Sequence, residues 1–164
     1  TDAGRRRWGR RGNPVPVRGK MKMVAEFIRS VALFDTLAED EYTEVADMAR
    51  MHQVSAGETV IQQGESGDSF FIVKKGALCV TMSDPSGRES SLGGLEASEF
   101  FGEMAMLTGA NRSASVTAIM QSQVIELPGQ LMKDMMGRHP AIAQRLQQVT
   151  SQRDQHNKAV MEPA

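Results

Sequence analysis

The chain has 164 residues with 19 Lys and Arg against 20 Asp and Glu, a formal net charge of −1. That length supports one hydrophobic core plus tails, and the balanced charge gives no general reason to expect a nucleic-acid partner. No apolar stretch approaches the roughly 18 residues of a membrane span, and the single cysteine, Cys79, rules out an intrachain disulfide and fits a reducing, cytoplasmic compartment.

The charge is unevenly spread. Arg5, Arg6, Arg7, Arg10, Arg11, Arg18 and Lys20 face one acid, Asp2, within the first twenty residues, and Pro14, Pro16 and Gly12 break any regular element there. Residues 1–20 read as a basic linker: either a solvated tail or a segment lying near membrane headgroups or another acidic surface. A chain that opens on Thr1 reads as part of a longer protein. The folded domain is expected over 21–158, with 159–164 as a tail.

From Met21 the pattern becomes helical, with Met21, Val24, Phe27, Ile28 and Val31 on one face. A second helix is predicted over about Ala38 to Arg50, with Tyr42, Val45 and Met48 inward, and with Thr36 and Glu39 as a capping box. Glycines then punctuate short β-type runs, "ETVIQQ", "SFFIVKK" and "ALCVTMS", the last placing Cys79 in the core. "DPSG" reads as a hairpin turn, and "SASVTAI" and "SQVIELP" as two further strands. After Pro128 a short helix carries Leu131, Met132, Met135 and Met136. Pro140 then opens a longer helix to about His156, whose stripe Ile142, Leu146, Val149 ends on Arg153. The fold class is α+β and mainly β: an antiparallel, jelly-roll-like β-roll with N-terminal helices, a short phosphate-binding helix and two C-terminal helices.

The stretch with most chemical content is "EFFGEMAMLTGANRSASVTA". If a strand ends at Phe101 and a helix begins at Gly102, unpaired amides and the positive helix end form an anion site, and glycine allows close backbone approach. Arg112, returning after "TGAN", offers a planar pair of donors to phosphate oxygens. Glu103 would repel an anion but suits a sugar hydroxyl; its plain alternative is an acid favoured in a first helical turn. Histidines His52, His139 and His156 are scattered, so a cupin-like metal site is not expected, and no catalytic Ser/His/Asp or Cys/His set is apparent. Neither a cofactor nor an enzymatic activity is expected.

The segment "FFGEMAMLTGANRSASV", with "VSAGETVIQQGESGDSFFIVKKGALCV" upstream, resembles the phosphate-binding cassette and roll of cyclic-nucleotide-binding domains, over roughly Ala32 to Gln155. The resemblance implies a cyclic purine nucleotide as ligand. Arg112 would hold its exocyclic phosphate oxygens and Glu103 its ribose 2′-hydroxyl. Gly102, Met104 and Ala105 would line the site through backbone, Ser113 would add a donor, and Ala114 follows in the cassette. Val80 and Met82 would form an apolar floor under the base. Arg153 matches a position from which some members close a lid over the purine; its alternative is an arginine covering an apolar stripe. Ser113 points to cAMP over cGMP, because members preferring cGMP often place threonine there. One departure stands in "LEASEFFG", where Glu96, Ala97 and Ser98 replace the family's usual glycine-proline-glycine turn.

By the same resemblance, the ligand would close the C-terminal helix over the base and regulate an attached effector. The basic segment resembles the linker of bacterial cyclic-nucleotide-gated channels related to small-conductance mechanosensitive channels, which makes a membrane channel the first expectation, with oligomerisation through the parent protein. The alternatives are the sensor of a transcription regulator, for whose helix-turn-helix this chain leaves no room, and a kinase regulatory subunit.

Overall fold

A computed structural model describes residues 18–161, so the basic segment before Arg18 and the last three residues lie outside it. Two helices, α1 (Arg18–Ser30) and α2 (Glu39–Met48), flank a 3-10 turn at Ala32–Phe34. Eight strands follow: β1 (Arg50–Val54), β2 (Thr59–Ile61), β3 (Phe70–Lys75), β4 (Ala77–Ser83), β5 (Glu89–Glu96), β6 (Phe100–Phe101), β7 (Ser115–Ala118) and β8 (Ser122–Leu127). Helix α3 (Glu103–Thr108) interrupts them between β6 and β7, and α4 (Gly129–Arg138) and α5 (Pro140–Met161) close the chain.

The strands form two antiparallel four-stranded sheets, ordered β1-β8-β3-β6 and β2-β7-β4-β5. This is the expected β-roll. Strand β3 shows how the core divides. Its residues alternate between faces, so Phe70 and Ile72 join the helix-side core while Phe71 and Val73 point between the sheets. Phe70 meets Phe100 at 5.2 Å on one side and Phe71 stacks on Phe101 at 5.0 Å on the other. Burying each such ring contributes about 1.5–3 kcal/mol, which is why "FFIV" is continuously apolar rather than alternating. The stripe Ile28, Leu131, Met135, Ile142 and Leu146 fills the helix-side core.

Several local expectations are corrected. Thr36 does not cap α2: the cap is Ala38, whose N–H donates to Glu41 Oε1 at 2.9 Å, and Thr36 instead meets His139 Nδ1 at 3.5 Å. Met48 is exposed at the end of the helix, where Val45 and Ala46 take the buried positions of the last turn. The helix predicted up to Arg50 gives way to β1, and α5 continues past His156 to Met161. Cys79 is only half-buried, since Leu78 and Val80 take the inward positions of β4 and leave it on the outer face. "DPSG" does reverse the chain, with Gly87 N–H donating to the Asp84 carbonyl at 2.9 Å and Asp84 Oδ1 accepting from Ser86 and Arg88.

The turn that departs from the family pattern keeps its shape by two devices. Ser98 adopts a left-handed φ of 76°, and the Glu99 carboxylate accepts from the Glu96 N–H at 2.8 Å. A left-handed non-glycine residue is strained, so the surrounding bonds, including Ser98 N–H to the Val73 carbonyl at 2.8 Å, hold it there.

Candidate functional site

Strand β6 ends at Phe101, and Gly102 turns the chain into α3 with φ 85°. A Cβ at Gly102 would lie 2.8 Å from the Ser69 carbonyl oxygen and 3.0 Å from Arg112 Nη1, so only glycine brings the backbone this close. That approach places a main-chain carbonyl where Arg112 needs it. Arg112 Nη1 donates to the Gly102 oxygen and Nη2 to the Ser69 oxygen, each at 3.1 Å. Its main chain is fixed as firmly: Arg112 N–H donates to Glu65 O at 2.7 Å and its carbonyl accepts from Gly64 N–H at 2.8 Å. The guanidinium carbon lies 5.8 Å from the centre of the Phe71 ring. Burial presses the arginine pKa down from its ordinary value, while Asp68, Glu126, Glu103 and Glu65 work the other way.

Glu103, the first residue of α3, is buried, and its Oε1 accepts from Arg153 Nη1 at 2.8 Å. The Arg153 guanidinium also lies 4.9 Å over the Phe100 ring, so the arginine at the end of the α5 stripe is drawn onto the roll by both charge and ring face. One turn further on, His156 Nε2 donates to the Leu92 carbonyl at 2.7 Å. That carbonyl is available because β5 bulges at this point: Val80 pairs with Gly93 and Thr81 with Ser91, leaving Leu92 out of the ladder.

Together these residues enclose a cavity of about 240 Å³. Of the residues expected from sequence, Gly102, Glu103, Met104, Ala105, Arg112, Ser113 and Ala114 line it from the α3 side, Val80 from β4 and Arg153 from α5. Met82 does not border it. The bulge at Leu92 shifts the β4–β5 register, so Met82 pairs with Ser90 beyond the cavity and Leu92 takes the apolar wall instead. Ser113 is exposed, its hydroxyl directed to Met104 Sδ at 3.5 Å.

Sequence reasoning missed His156 and Asn157 on α5 and Gly93 and Gly94 on β5. A signal existed for two of these features: His156 lies three residues after Arg153 on the same helical face, and paired glycines inside a strand mark a bulge or a close approach. The wall is largely apolar with a few converging polar groups, Arg112 and Glu103 deep and Arg153 and His156 above them. Such a site suits a small ligand carrying both an anion and hydroxyl groups. Among the described residues there is no group of three or more His, Cys, Asp or Glu that could hold a metal ion, and no helix long and apolar enough to cross a membrane.

The roll, the flanking helices and the cavity between them define a module built to hold a small ligand. Residues 51–139 match the family described as cyclic nucleotide-binding domain, and the chain belongs to that family. It is 31% identical over 121 residues to the cAMP-dependent protein kinase regulatory subunit of Dictyostelium discoideum, covering 72% of this chain and 37% of that protein. It is 37% identical over 93 residues to human cGMP-dependent protein kinase 2, covering 56% of this chain and 12% of that protein. Among solved structures, the regulatory domain of Toxoplasma gondii PKA crystallised with cAMP superposes with a TM-score of 0.75 at 29% identity, over 82% of this chain and 51% of that one. The chain thus spans from about an eighth to half of the length of these relatives.

Proposed function

We propose that this domain binds a cyclic purine nucleotide, cAMP in preference to cGMP, and passes the binding event to an attached effector. The observation that carries the reading is the convergence of Arg112 and Glu103 on one cavity, with Arg112 held on main-chain carbonyls and Glu103 buried beside it. In this reading Arg112 takes the exocyclic phosphate oxygens, assisted by the backbone of Gly102, Met104 and Ala105 and by Ser113 and Ala114. Glu103 accepts the ribose 2′-hydroxyl. Arg153 engages only its Oε1, and an ionised carboxylate has lone pairs enough for a second donor. Val80 and Leu92 form the apolar wall for the base, under α5.

The ligand acts by favouring the arrangement in which α4 and α5 cover the cavity, and it shifts that equilibrium only by its extra affinity for the covered form. Calorimetric titration of the domain with cAMP, cGMP and 2′-deoxy-cAMP tests the reading. The expected order is cAMP tightest, with 2′-deoxy-cAMP at least about tenfold weaker, since a buried carboxylate loses its donor. Equal binding of cAMP and its 2′-deoxy analogue removes the ribose role from Glu103.

For the effector, the named relatives support a kinase regulatory assembly. The basic segment of Arg5, Arg6, Arg7, Arg10 and Arg11 supports a membrane channel, because the cytoplasmic leaflet of a membrane is anionic and attracts such a segment. The coding sequence upstream of Thr1 separates the two: several apolar spans favour the channel, and a second nucleotide domain or a kinase-binding segment favours the kinase assembly.

A further inference from the structure

Next to Arg112 but outside the lining of the cavity, three polar side chains, from β1, from β8 and from the residue just before β3, form a chain of hydrogen bonds. Glu126 of β8 is the centre. Its Oε1 accepts from His52 Nε2 of β1 at 2.8 Å, and its Oε2 accepts from the Ser69 hydroxyl at 2.6 Å. The main-chain carbonyl of Ser69 is the one that receives Arg112 Nη2 at 3.1 Å. Glu126 stands opposite Phe71 in the β8–β3 pairing, and the Arg112 guanidinium lies over that ring. On the other edge Glu126 stands opposite Arg50.

A glutamate on the inner face of a roll needs a reason. His52 is 4% exposed, and the alternation of β8 puts Glu126 on the same face as the core residue Val124. Burial works to raise the Glu126 pKa, yet the hydrogen bonds from His52 and Ser69 and the charge of Arg50 overcome it and hold the carboxyl below its ordinary value. The group is therefore ionised and fixed at both oxygens. A fixed carboxylate of this kind orients whatever donates to it. Here that is the residue whose carbonyl anchors Arg112.

We infer that Glu126 is a positioning residue of the phosphate site: by fixing Ser69 it sets the carbonyl that holds the Arg112 guanidinium. The inference rests on the reading of Arg112 as the phosphate ligand. It also explains why Ser69, at the loop end of β3, carries a hydroxyl.

The test is a double-mutant cycle on cAMP affinity, with thermal unfolding of each nucleotide-free variant measured alongside. Glu126→Gln and Ser69→Ala are each expected to weaken cAMP binding by about three- to tenfold, the range of one positioned hydrogen bond. In the Arg112→Ala background neither is expected to change the remaining affinity by more than about twofold, because the group they position is gone. Ser69→Thr, which keeps the hydroxyl, restores affinity to near wild type. Should Glu126→Gln fold poorly, the Ser69 variants complete the same cycle. Losses of equal size in both backgrounds, or failure of threonine to rescue, overturn the inference. Near-normal affinity in Arg112→Ala alone overturns instead the phosphate reading beneath it.

Discussion

Arg112 and Arg153 face the same cavity from opposite sides and are held in different ways. Arg112 donates to two main-chain carbonyls, while its own N–H and C=O are tied into the β2–β3 loop. None of these partners can move without moving the backbone of a strand or tight turn. Arg153 is held by one carboxylate oxygen and a ring face, and its neighbour His156 by one carbonyl. Rotating a few side chains releases all three contacts. The wall that carries Arg112 is thus preorganised and the helical wall exchangeable, a division that suits the proposed sensor, in which one side would recognise the ligand and the other report it.

The helical wall is also tied outward. Arg145 donates to the Ala32 carbonyl and to Asp35, both at 2.6 Å, and Arg138 reaches Glu44 at 3.0 Å. These bonds join α4 and α5 to the N-terminal helices, the part of the domain that continues into the basic segment. Motion of α5 over the cavity therefore has a physical route toward whatever precedes Arg18.

The sharpest way to break this contrast is Arg112→Ala. It is expected to cost on the order of 2–5 kcal/mol of binding, at least about thirtyfold in affinity for cAMP by calorimetry, while the fold survives. Next comes Gly102→Ala. The left-handed φ and the 2.8 Å approach to the Ser69 oxygen leave no room for a Cβ, so stability should fall by about 1–3 kcal/mol by urea unfolding, with cAMP affinity lowered in the folded fraction. An alanine variant as stable as wild type would show that this wall can yield, against the contrast drawn here. On the opposite wall, Arg153→Ala and His156→Ala should each weaken cAMP by only about two- to tenfold, seen mainly as faster dissociation in stopped-flow measurements. A loss at Arg153 as large as that at Arg112 would make the two walls equivalent.

Much of this was legible in the sequence, and the misses have physical causes. The continuous apolar runs of β3 and β4, the helical stripe ending on Arg153, and Gly102, Glu103 and Arg112 all arise from local periodicity or local chemistry, while the rest of the stretch up to Ala114 is read from its family resemblance. Strand β1, "RMHQV", has no clear signature: only Arg50 falls in the helix expected up to that residue, His52 and Gln53 break the alternation of the strand, and the partner that meets His52, Glu126, lies 74 residues further on. Strand β5, "ESSLGGLE", is too polar and glycine-rich to announce itself, yet its bulge moves Met82 away from the cavity and puts Leu92 there. Contacts such as Ser69–Glu126, 57 residues apart, have no local signature at all.

The smallest effect expected is one of pH, and it concerns the joint between α4 and α5. Glu41 accepts from the Ala38 N–H at 2.9 Å and from His139 Nε2 at 2.8 Å, with Arg138 close by. The backbone bond first, and the His139 bond second, hold its carboxyl below the ordinary glutamate value. A carboxyl lowered in this way binds protons less readily folded than unfolded. Its contribution to stability is then complete above the unfolded-state value and fades as pH falls through the folded one. Glu41→Gln should therefore be less stable than wild type at about pH 6, and the gap should narrow as pH falls below the unfolded glutamate value, as followed by urea unfolding of the nucleotide-free domain. The groups that titrate in both proteins, Asp84 and Glu126 among them, cancel in that difference. A gap that stays constant across the range would mean that Glu41 contributes by packing and capping alone, and the α2–α4 contact would then be a fixed hinge rather than an ionic one.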